Sequence, residues 1–264
     1  MAPEQTAPVG IFDSGIGGLS VVREVHTLLP AEDLIYLADQ AFGPYGDRTL
    51  DDVRIRCERV SRFLIAEGAK SVVVACNSAS AAALHHLRRL HPRVPFVGME
   101  PAVKPAALAT RSGIIGVMAT ATTFQGQLFA SVVDRHANGI GVIAQACPGL
   151  AAAVEAESTD LDALLGDYLA PLLDAGADVV VLGCTHYALV ADRIRGLVGD
   201  DVEVVDPAPA VARQLRRILA RYDGLAPPDR SGAVEFRTTG DPLRFAEQLS
   251  RYLGETAEPA QAEV

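Results

Sequence analysis

The sequence has few of the features that membrane spans, secretion signals and covalently bound cofactors require. No uncharged apolar run reaches the roughly 20 residues of a membrane-spanning helix. Residues 1–8 lack the basic start and apolar core of a secretory signal. Lysine occurs only at Lys70 and Lys104, and neither lies in a phosphate-binding context, which disfavours a pyridoxal-phosphate Schiff base. We therefore expect a cytoplasmic protein that works without a membrane and without pyridoxal phosphate.

The chain also lacks tryptophan and an excess of positive charge. Aromatic residues make up 5% of a chain that is 49% hydrophobic, so alanine and valine must fill most of the core. The net charge is −10 and the isoelectric point is near 5.0, with no basic patch, which excludes nucleic acid as an expected partner. A small acidic substrate remains compatible with this charge, because backbone dipoles bind anions even in acidic proteins.

Cysteine is scarce and never forms a CxxC pair. The four cysteines are Cys57, Cys76, Cys147 and Cys184. Free thiols are expected for a cytoplasmic chain. Cys57 lies inside a predicted helix and is interpreted as structural. A zinc site on Cys184 and His186 would need further ligands at suitable spacing, so no metal site is predicted.

Two short apolar runs, at 69–75 and 177–182, are the main organising features of the sequence. Each is too short for a helix of its own, lacks alternation, and ends in a cysteine followed by small polar residues. Such runs are typical of strands buried on both faces of a parallel sheet. Cys76 and Cys184 are therefore predicted at strand ends and helix starts, where the helix dipole favours a thiolate.

The same pattern occurs upstream of each cysteine. The strand at 9–13 ends at Asp13, and the strand at 113–119 is followed by Thr120. From position 13 to position 76 is 63 residues, and from position 120 to position 184 is 64. We infer an α/β fold of two pseudo-symmetric α/β domains, with mostly parallel sheets that face a shared cleft. The glycine-rich turn at 15–18 favours tight packing rather than phosphate binding.

Several peripheral segments are predicted from composition. Residues 1–8 are expected to be disordered and residues 254–264 to form a solvated tail. Residues 206–209, which contain two prolines, are predicted as a hinge. Residues 233–237 are predicted as an edge strand.

Several motifs together resemble those of the glutamate racemases. They cover Asp13-Ser14-Gly15, Pro44-Tyr45-Gly46, Ala75–Ser80, Ile115–Thr120, Ala146-Cys147-Pro148 with Glu155 downstream, and Gly183–Tyr187. The resemblance extends over roughly residues 9–253. This chain departs from the family's pattern at Ser78, Ala188 and Thr122, where the family usually has Thr, Pro and Gly. We expect Thr122 to add bulk beside the ligand site.

The resemblance implies a cofactor-independent enzyme that interconverts L- and D-glutamate and supplies D-glutamate for peptidoglycan. It also implies that the C-terminal segment returns to the first domain. The predicted division is therefore residues 1–98 plus 210–264 against residues 99–209. Homodimers are common in that family, but the sequence does not indicate an interface.

Inversion of an α-carbon requires proton removal on one face and proton return on the other, and two thiols suit this task. Cys76 and Cys184 are the predicted pair, with one starting as thiolate. Asp13 is predicted to assist Cys76, the alternative being a helix cap. His186 is predicted to assist Cys184, the alternative being a core histidine. Glu155 rests on the resemblance alone.

The carboxylates of the substrate need hydrogen-bond donors at helix starts. The predicted substrate-binding residues are Asp13, Ser14, Tyr45, Gly46, Asn77, Ser78, Thr120, Thr123, Thr185 and His186. A capping run is an equal alternative for the threonines at 120–123. The alternative functions are an aspartate racemase and a non-catalytic, two-lobed amino-acid-binding protein.

Overall fold

The computed structural model describes residues 4–254 and 256–264, and they form two parallel sheets covered by helices. The first sheet has the order β10-β9-β2-β1-β3-β4, and every neighbouring pair is parallel. Its strands are β1 (Val9–Asp13), β2 (Leu34–Ala38), β3 (Ser71–Val74), β4 (Phe96–Gly98), β9 (Val234–Thr238) and β10 (Ala260–Gln261).

The second sheet has four parallel strands in the order β6-β5-β7-β8. They are β5 (Ile114–Ala119), β6 (Gly141–Ala146), β7 (Val179–Leu182) and β8 (Glu203–Val205). The strands before the two cysteines, β3 and β7, are each buried along their full length. The predicted fold of two mostly parallel sheets is confirmed.

Helices flank both sheets, as expected for parallel strands joined by crossovers. Around the first sheet lie α1 (Leu19–Leu28), a 3-10 turn (Tyr45–Asp47), α2 (Leu50–Ala66), α3 (Asn77–Leu90), α11 (Ala208–Arg221) and α12 (Pro242–Leu253). Around the second lie α4 (Val103–Ala109), α5 (Ala121–Gln125), α6 (Gln127–His136), α7 (Leu150–Glu155), α8 (Leu161–Asp174), α9 (Thr185–Ala188) and α10 (Ala191–Val198).

The internal repeat corresponds to equivalent strand pairs. In the first sheet β1 lies beside β3, and in the second β5 lies beside β7. The carboxyl ends of neighbouring parallel strands meet at one edge of a sheet. This places Asp13 near Cys76 and Thr120 near Cys184, one pair on each sheet.

The C-terminal segment differs from its prediction. Residues 254–264 were expected to be solvated, but β10 pairs with β9 and Ala262 is buried in the core. Consequently β9 is not an edge strand, because β10 covers its outer side. A two-residue strand with a polar side chain carries no periodic signal, so local pattern could not reveal it.

Two further peripheral predictions are wrong in part. Ala208 and Pro209 were assigned to a hinge but begin α11, because proline fits the first turn of a helix. Residues 4–8 were expected to be disordered, yet the Gln5 carbonyl accepts a hydrogen bond from Nζ of Lys70 at 2.6 Å. Residues 1–3 and 255 of the predicted terminal segments lie outside the described residues.

The predicted domain division stays a prediction, although it assigns each sheet to one domain. Cys57, interpreted as structural, is a residue of α2 that is fully buried in the core. Among the helices that the structure describes, none is long and apolar enough to cross a membrane.

Candidate active site

Cys76 and Cys184 occupy equivalent positions on the two sheets. Each follows a strand and caps the next helix, with backbone angles φ −141° and ψ 127° at Cys76 and φ −142° and ψ 135° at Cys184. Both are buried, with exposed fractions of 5% and 7%. The sequence predicts this placement, because a buried apolar run followed by small polar residues is a strand passing into a helix.

On the Cys184 side, an imidazole links the thiol to a carboxylate. Nδ1 of His186 lies 3.9 Å from Sγ of Cys184, and Nε2 lies 2.7 Å from Oε1 of Glu155. Oε1 also accepts a hydrogen bond from the backbone N–H of Ile16 at 3.1 Å. The three side chains therefore form a continuous path from thiol to carboxylate.

The charges on this path reinforce each other. Burial acts to lower the pKa of His186, but hydrogen bonds with Cys184 and Glu155 outweigh it and hold that pKa well above its usual value. Burial acts to raise the pKa of Glu155, but the hydrogen bond and charge of His186 outweigh it and lower that pKa. An imidazolium next to a carboxylate is therefore the favoured state beside Cys184.

On the Cys76 side, a hydroxyl stands between the thiol and a carboxyl group. Sγ of Cys76 contacts Oγ of Ser14 at 3.8 Å, and Ser14 donates to Oδ1 of Asp13 at 2.9 Å. Oδ2 of Asp13 accepts from Oγ1 of Thr185 at 2.8 Å. Asp13 thus reaches Cys76 through Ser14, and it also joins the two sheets.

Burial dominates the protonation of this side. It raises the pKa of Asp13 despite the charge of His186 and the hydrogen bonds of Thr185 and Ser14. Burial and the nearby Asp13 carboxyl raise the pKa of Cys76 well above its usual value. The expected lowering at a helix start is therefore wrong for Cys76, because the N–H of Ala79 does not offset the loss of water.

Two glycines allow the sheets to approach each other at the site. A Cβ added to Gly15 would overlap the Glu155 carboxylate. A Cβ at Gly17 would lie 2.5 Å from Oγ1 of Thr185 and 2.7 Å from the backbone nitrogen of His186. The glycine-rich turn therefore serves close packing, as the sequence analysis favours.

A second group of contacts between the two sheets' sides of the site consists of hydroxyl groups. Oγ of Ser78 and Oγ1 of Thr120 lie 2.8 Å apart, and Oγ1 of Thr120 lies 3.0 Å from that of Thr123. A Cβ on Gly46 would lie 2.6 Å from Cγ2 of Thr120. Thr120 also caps α5 by accepting from the N–H of Thr123, so the predicted capping role of this run is present.

Thr122 does not have the position expected of a residue that narrows a ligand site. Its hydroxyl donates to the carbonyl of Gly46 at 2.8 Å and lies 3.2 Å from the carbonyl of Arg48. The side chain is buried against this loop. Thr122 therefore joins the second sheet's side to the turn at Tyr45–Asp47 and to Arg48, the residue after it.

Tyr45 uses its hydroxyl within the protein. The hydroxyl donates to Oδ2 of Asp39 at 2.6 Å, and Arg56 contacts the same carboxylate at 2.6 Å and 2.8 Å. Arg56 also donates to the carbonyl of Val264 at 2.6 Å. Sequence reasoning missed Asp39 and Arg56, and the bond from Arg56 to Val264 spans almost the whole chain. A substrate contact from Tyr45 would have to come from its backbone.

Asn77 is buried directly after Cys76, and its amide is unsatisfied. Its exposed fraction is 3%, and within residues 4–254 and 256–264 neither Oδ1 nor Nδ2 has a hydrogen-bond partner. An unpaired buried amide costs free energy, so this group is suited to bind a polar ligand beside the thiol.

Two cavities are lined by residues that surround the site, although neither Cys76 nor Cys184 is part of their lining. The larger, about 200 Å³, is lined by residues from both sides, including Ser14, Gln40, Glu155, His186 and Arg244. The smaller, about 40 Å³, is lined by Gly46, Thr120 and Cys147 among others. Burial raises the pKa of the Cys147 thiol to about 12, so this third cysteine is a neutral part of the wall. Sequence reasoning missed Gln40 and Arg244.

The structure shows no arrangement for a metal in the part of the chain it describes: no group of three or more His, Cys, Asp or Glu side chains could hold one. Lys70, one of two candidates for a Schiff base, forms a buried ion pair with Glu32 at 2.5 Å.

Comparison with known proteins identifies close relatives. Residues 9–215 match the family model described as Asp/Glu/Hydantoin racemase. The chain is 52% identical over 255 residues to a glutamate racemase of Roseiflexus sp. (strain RS-1), covering 95% of this chain and 94% of that protein.

Solved structures show the same likeness. Glutamate racemase isoform RacE1 from Bacillus anthracis has a TM-score of 0.90 and 31% identity, with 99% of each chain covered. The glutamate racemase of Francisella tularensis in complex with D-glutamate has a TM-score of 0.85 and 26% identity, with 98% of each chain covered.

Proposed function

The chain belongs to the Asp/Glu/Hydantoin racemase family and is a racemase that acts on glutamate, and we propose that Cys76 and Cys184 carry out its proton transfers without a cofactor. The observation that carries this proposal is that each sheet places one cysteine after a strand, with the same capping geometry in both sheets. The bond between Asp13 and Thr185 holds these two sides together.

Two bases suit inversion better than one. A single base tends to return the proton to the face from which it came. In the proposed reaction one thiolate takes the α-proton from one face, and the opposite thiol donates its proton to the other face. The first sulfur ends as thiol and the second as thiolate, so charge and protons balance.

We assign the thiolate at the start of one reaction direction to Cys184. The positively charged His186 lies beside its sulfur, whereas burial and Asp13 keep Cys76 protonated. After the α-proton has moved, Cys76 carries the negative charge. Ser14 and the amides at the start of α3 then stabilise it.

The proposed substrate contacts surround these two sulfurs. The unpaired amide of Asn77 is proposed to bind a carboxylate through Nδ2 and the ammonium group through Oδ1. The remaining proposed contacts are Asp13, Ser14, the backbone of Tyr45 and Gly46, Ser78, Thr120, Thr123, Thr185 and His186.

The biological setting is proposed on the same basis. D-glutamate produced in the cytoplasm would enter peptidoglycan. A homodimer stays a prediction without a located interface.

The test is proton NMR of L-glutamate in D₂O with no added cofactor. We expect the wild type to remove the α-proton signal and produce D-glutamate. Cys76→Ser and Cys184→Ser should each lose racemisation by roughly 1,000-fold or more, since each removes an acid–base group. Far-UV circular dichroism checks that both variants fold.

Other outcomes would redirect the proposal. Exchange of the α-proton with aspartate but not with glutamate would show that the substrate is aspartate. Full racemisation by either folded cysteine variant would contradict the two-thiol mechanism.

A further inference from the structure

The turn at Tyr45–Asp47 and the residues before it contact both sides of the active site. Thr122, from the second sheet's side, donates to the carbonyl of Gly46 at 2.8 Å. On the first sheet's side, a Cβ added to Gly43 would overlap the carbonyl of Ser14, which contacts the first thiol. The backbone of this turn is also a proposed substrate contact, so its position should affect how tightly glutamate binds.

The side chain of Tyr45 anchors this turn in the core around the first sheet. Its ring is fully buried, and its hydroxyl donates to Oδ2 of Asp39 at 2.6 Å. Asp39 directly follows β2 and is also fully buried, and its Oδ1 accepts a hydrogen bond from Oγ1 of Thr239 at 2.8 Å. A buried carboxylate is costly without a positive partner, so the anchor depends on a counter-charge.

Arg56 of α2 supplies this counter-charge. Its Nη2 lies 2.6 Å from Oδ1 of Asp39 and its Nε lies 2.8 Å from Oδ2, a two-pronged arrangement that fixes the plane of the carboxylate. Only 11% of the Arg56 side chain is exposed. Because Nε and the Tyr45 hydroxyl share Oδ2, a shift of the guanidinium would also shift the anchor of the turn.

The C-terminal segment at 260–264 holds the guanidinium in turn. Nη1 of Arg56 donates to the carbonyl of Val264 at 2.6 Å. The segment is itself fixed, since β10 pairs with β9 and Nε2 of Gln261 donates to the carbonyl of Thr239 at 3.1 Å. Thr239 is the residue that bonds Asp39, so the segment contacts both halves of the ion pair.

We propose that Asp39, Arg56 and the segment at 260–264 form a positioning network that sets the place of the turn at Tyr45–Asp47 and thereby the affinity for a substrate carboxylate. The inference rests on the proposed function, because it takes the backbone of that turn as a substrate contact. The network does not belong to the path between the thiols and their partners. It acts through the Tyr45 hydroxyl on binding rather than on proton transfer.

The decisive variant is Tyr45→Phe, which keeps the ring and removes the hydroxyl that bonds Asp39. We expect KM for glutamate to rise roughly 10-fold, because a hydrogen bond to a charged group contributes about that factor or more. The kcat should change less than about twofold, since a loss that raises KM alone is a loss of binding. Tyr222→Phe removes an exposed hydroxyl at the end of α11 and should behave as wild type.

The arginine is tested by a variant that keeps its charge. Arg56→Lys retains the positive partner of Asp39 but loses the two-pronged contact, so KM should rise about fivefold with little change in kcat. Arg62→Lys changes an exposed arginine of the same helix and should leave both constants unchanged.

The C-terminal segment is tested by removing the carbonyl that Arg56 bonds. A variant that lacks residues 262–264 should raise KM about fivefold, because Nη1 of Arg56 loses its acceptor. Val264→Ala keeps the carbonyl and should raise KM less than twofold. Equal KM values for the truncated chain and Val264→Ala would show that the segment does not contribute to positioning.

A second readout does not depend on activity. The N–H of Gly43 bonds the carbonyl of Asp39 at 2.9 Å, and the N–H of Arg48 bonds that of Tyr45 at 3.2 Å. In hydrogen–deuterium exchange read by mass spectrometry, the amides at 42–48 should exchange roughly 10-fold faster in Tyr45→Phe than in wild type. The amides of α2 should exchange at the wild-type rate.

Three outcomes in folded Tyr45→Phe would overturn the proposal. The first is wild-type KM with wild-type exchange at 42–48. The second is a fall in kcat at constant KM, which would place the network behind the thiols. The third is faster exchange throughout the first sheet, which would indicate general loosening. A wild type that does not racemise glutamate would instead contradict the proposed function, and the exchange rates would still decide whether the network holds the turn.

Discussion

The two thiol sites have the same backbone geometry but differ in the side chains that surround the sulfur. Cys76 caps a helix of 14 residues and contacts a neutral hydroxyl, while Cys184 caps a helix of four residues and contacts an imidazole. Behind these lie a carboxyl with a raised pKa, Asp13, and one with a lowered pKa, Glu155. A repeated fold therefore supplies symmetric positions, and the second layer of side chains makes them chemically unequal.

We propose that this inequality decides which thiol carries the resting charge. A symmetric pair of thiols would share one negative charge equally, and either could start. Here the imidazolium next to a carboxylate lies on one side only, so we place the first thiolate at Cys184.

The largest effect should come from replacing the side chain that assists each thiol. We expect His186→Asn to lower kcat roughly 100-fold, since it removes the charged partner of Cys184. Asp13→Asn should lower kcat by a similar factor through Cys76. The ratio of kcat/KM in the two directions cannot change, because the enantiomers are equal in free energy in water.

The asymmetry must therefore be measured within each direction. Primary deuterium isotope effects on kcat should be measured with L- and with D-[2-²H]glutamate. One variant should increase the isotope effect mainly with one enantiomer, and the other variant should increase it mainly with the other enantiomer. Equal isotope effects in both directions would contradict a separate partner for each thiol.

The pH dependence of stability should come from the Cys184 side, through the ion pair of Glu155 and His186. Because the pKa of Glu155 is lowered and that of His186 is raised, the ion pair persists from below the usual range of a carboxyl to above that of an imidazole. Glu155 stabilises the fold at higher pH and loses this effect as pH falls through its folded pKa. His186 stabilises the fold at lower pH and loses this effect as pH rises through its folded pKa. In His186→Asn both contributions should disappear from thermal unfolding measured against pH.

A smaller effect is expected from the hydroxyl between Asp13 and Cys76. Ser14→Ala should lower kcat roughly 10-fold, because it breaks the path at one hydrogen bond to a charged group. Ser20→Ala is a matched control, since its buried hydroxyl bonds only within the turn that starts α1. If the two variants have the same kcat, Asp13 does not act through Ser14.

Alkylation tests the assigned thiolate directly. With iodoacetamide at neutral pH, mass spectrometry should show Cys184 labelled before Cys76, because the thiolate is the nucleophile. The buried neutral thiol of Cys57 provides an internal control and should react last. Faster labelling of Cys76 would reverse the assignment.

The smallest effect is expected at Thr122. Thr122→Val removes the hydroxyl that bonds the Gly46 carbonyl and should raise KM about fivefold, since one hydrogen bond is worth about 1 kcal/mol. It should leave the isotope effects in both directions unchanged. A direction-dependent change would show that this loop also distinguishes the two thiols.

Much of this organisation could be predicted from the sequence, because it follows from local pattern. Apolar runs that end in small polar residues predict the strand ends and the caps at Cys76 and Cys184. The equal spacing of the upstream strands predicts two related sheets. These signals lie within a few residues of the groups they place.

The remainder depends on partners distant in the chain. Ser14 lies between Asp13 and Cys76 because the ends of the neighbouring strands β1 and β3 meet there, and local pattern does not show which side chain contacts the sulfur. Tyr45 turns toward Asp39 because Arg56 and Val264 complete a buried network there. Glu155 could be proposed only through the family resemblance, since its contact with His186 spans 31 residues.

The burial of the two thiols has a consequence for the timing of binding. Cys76 and Cys184 are 5% and 7% exposed, and the bonds between Asp13 and Thr185 and between Glu155 and Ile16 join the two sides around them. We expect glutamate to reach the two sulfurs only when these bonds separate. The measured affinity is then the intrinsic affinity multiplied by the fraction of molecules that are open. Substitutions that weaken these bonds should speed association while slowing chemistry. The fastest enzyme at low substrate concentration therefore need not have the best-aligned site.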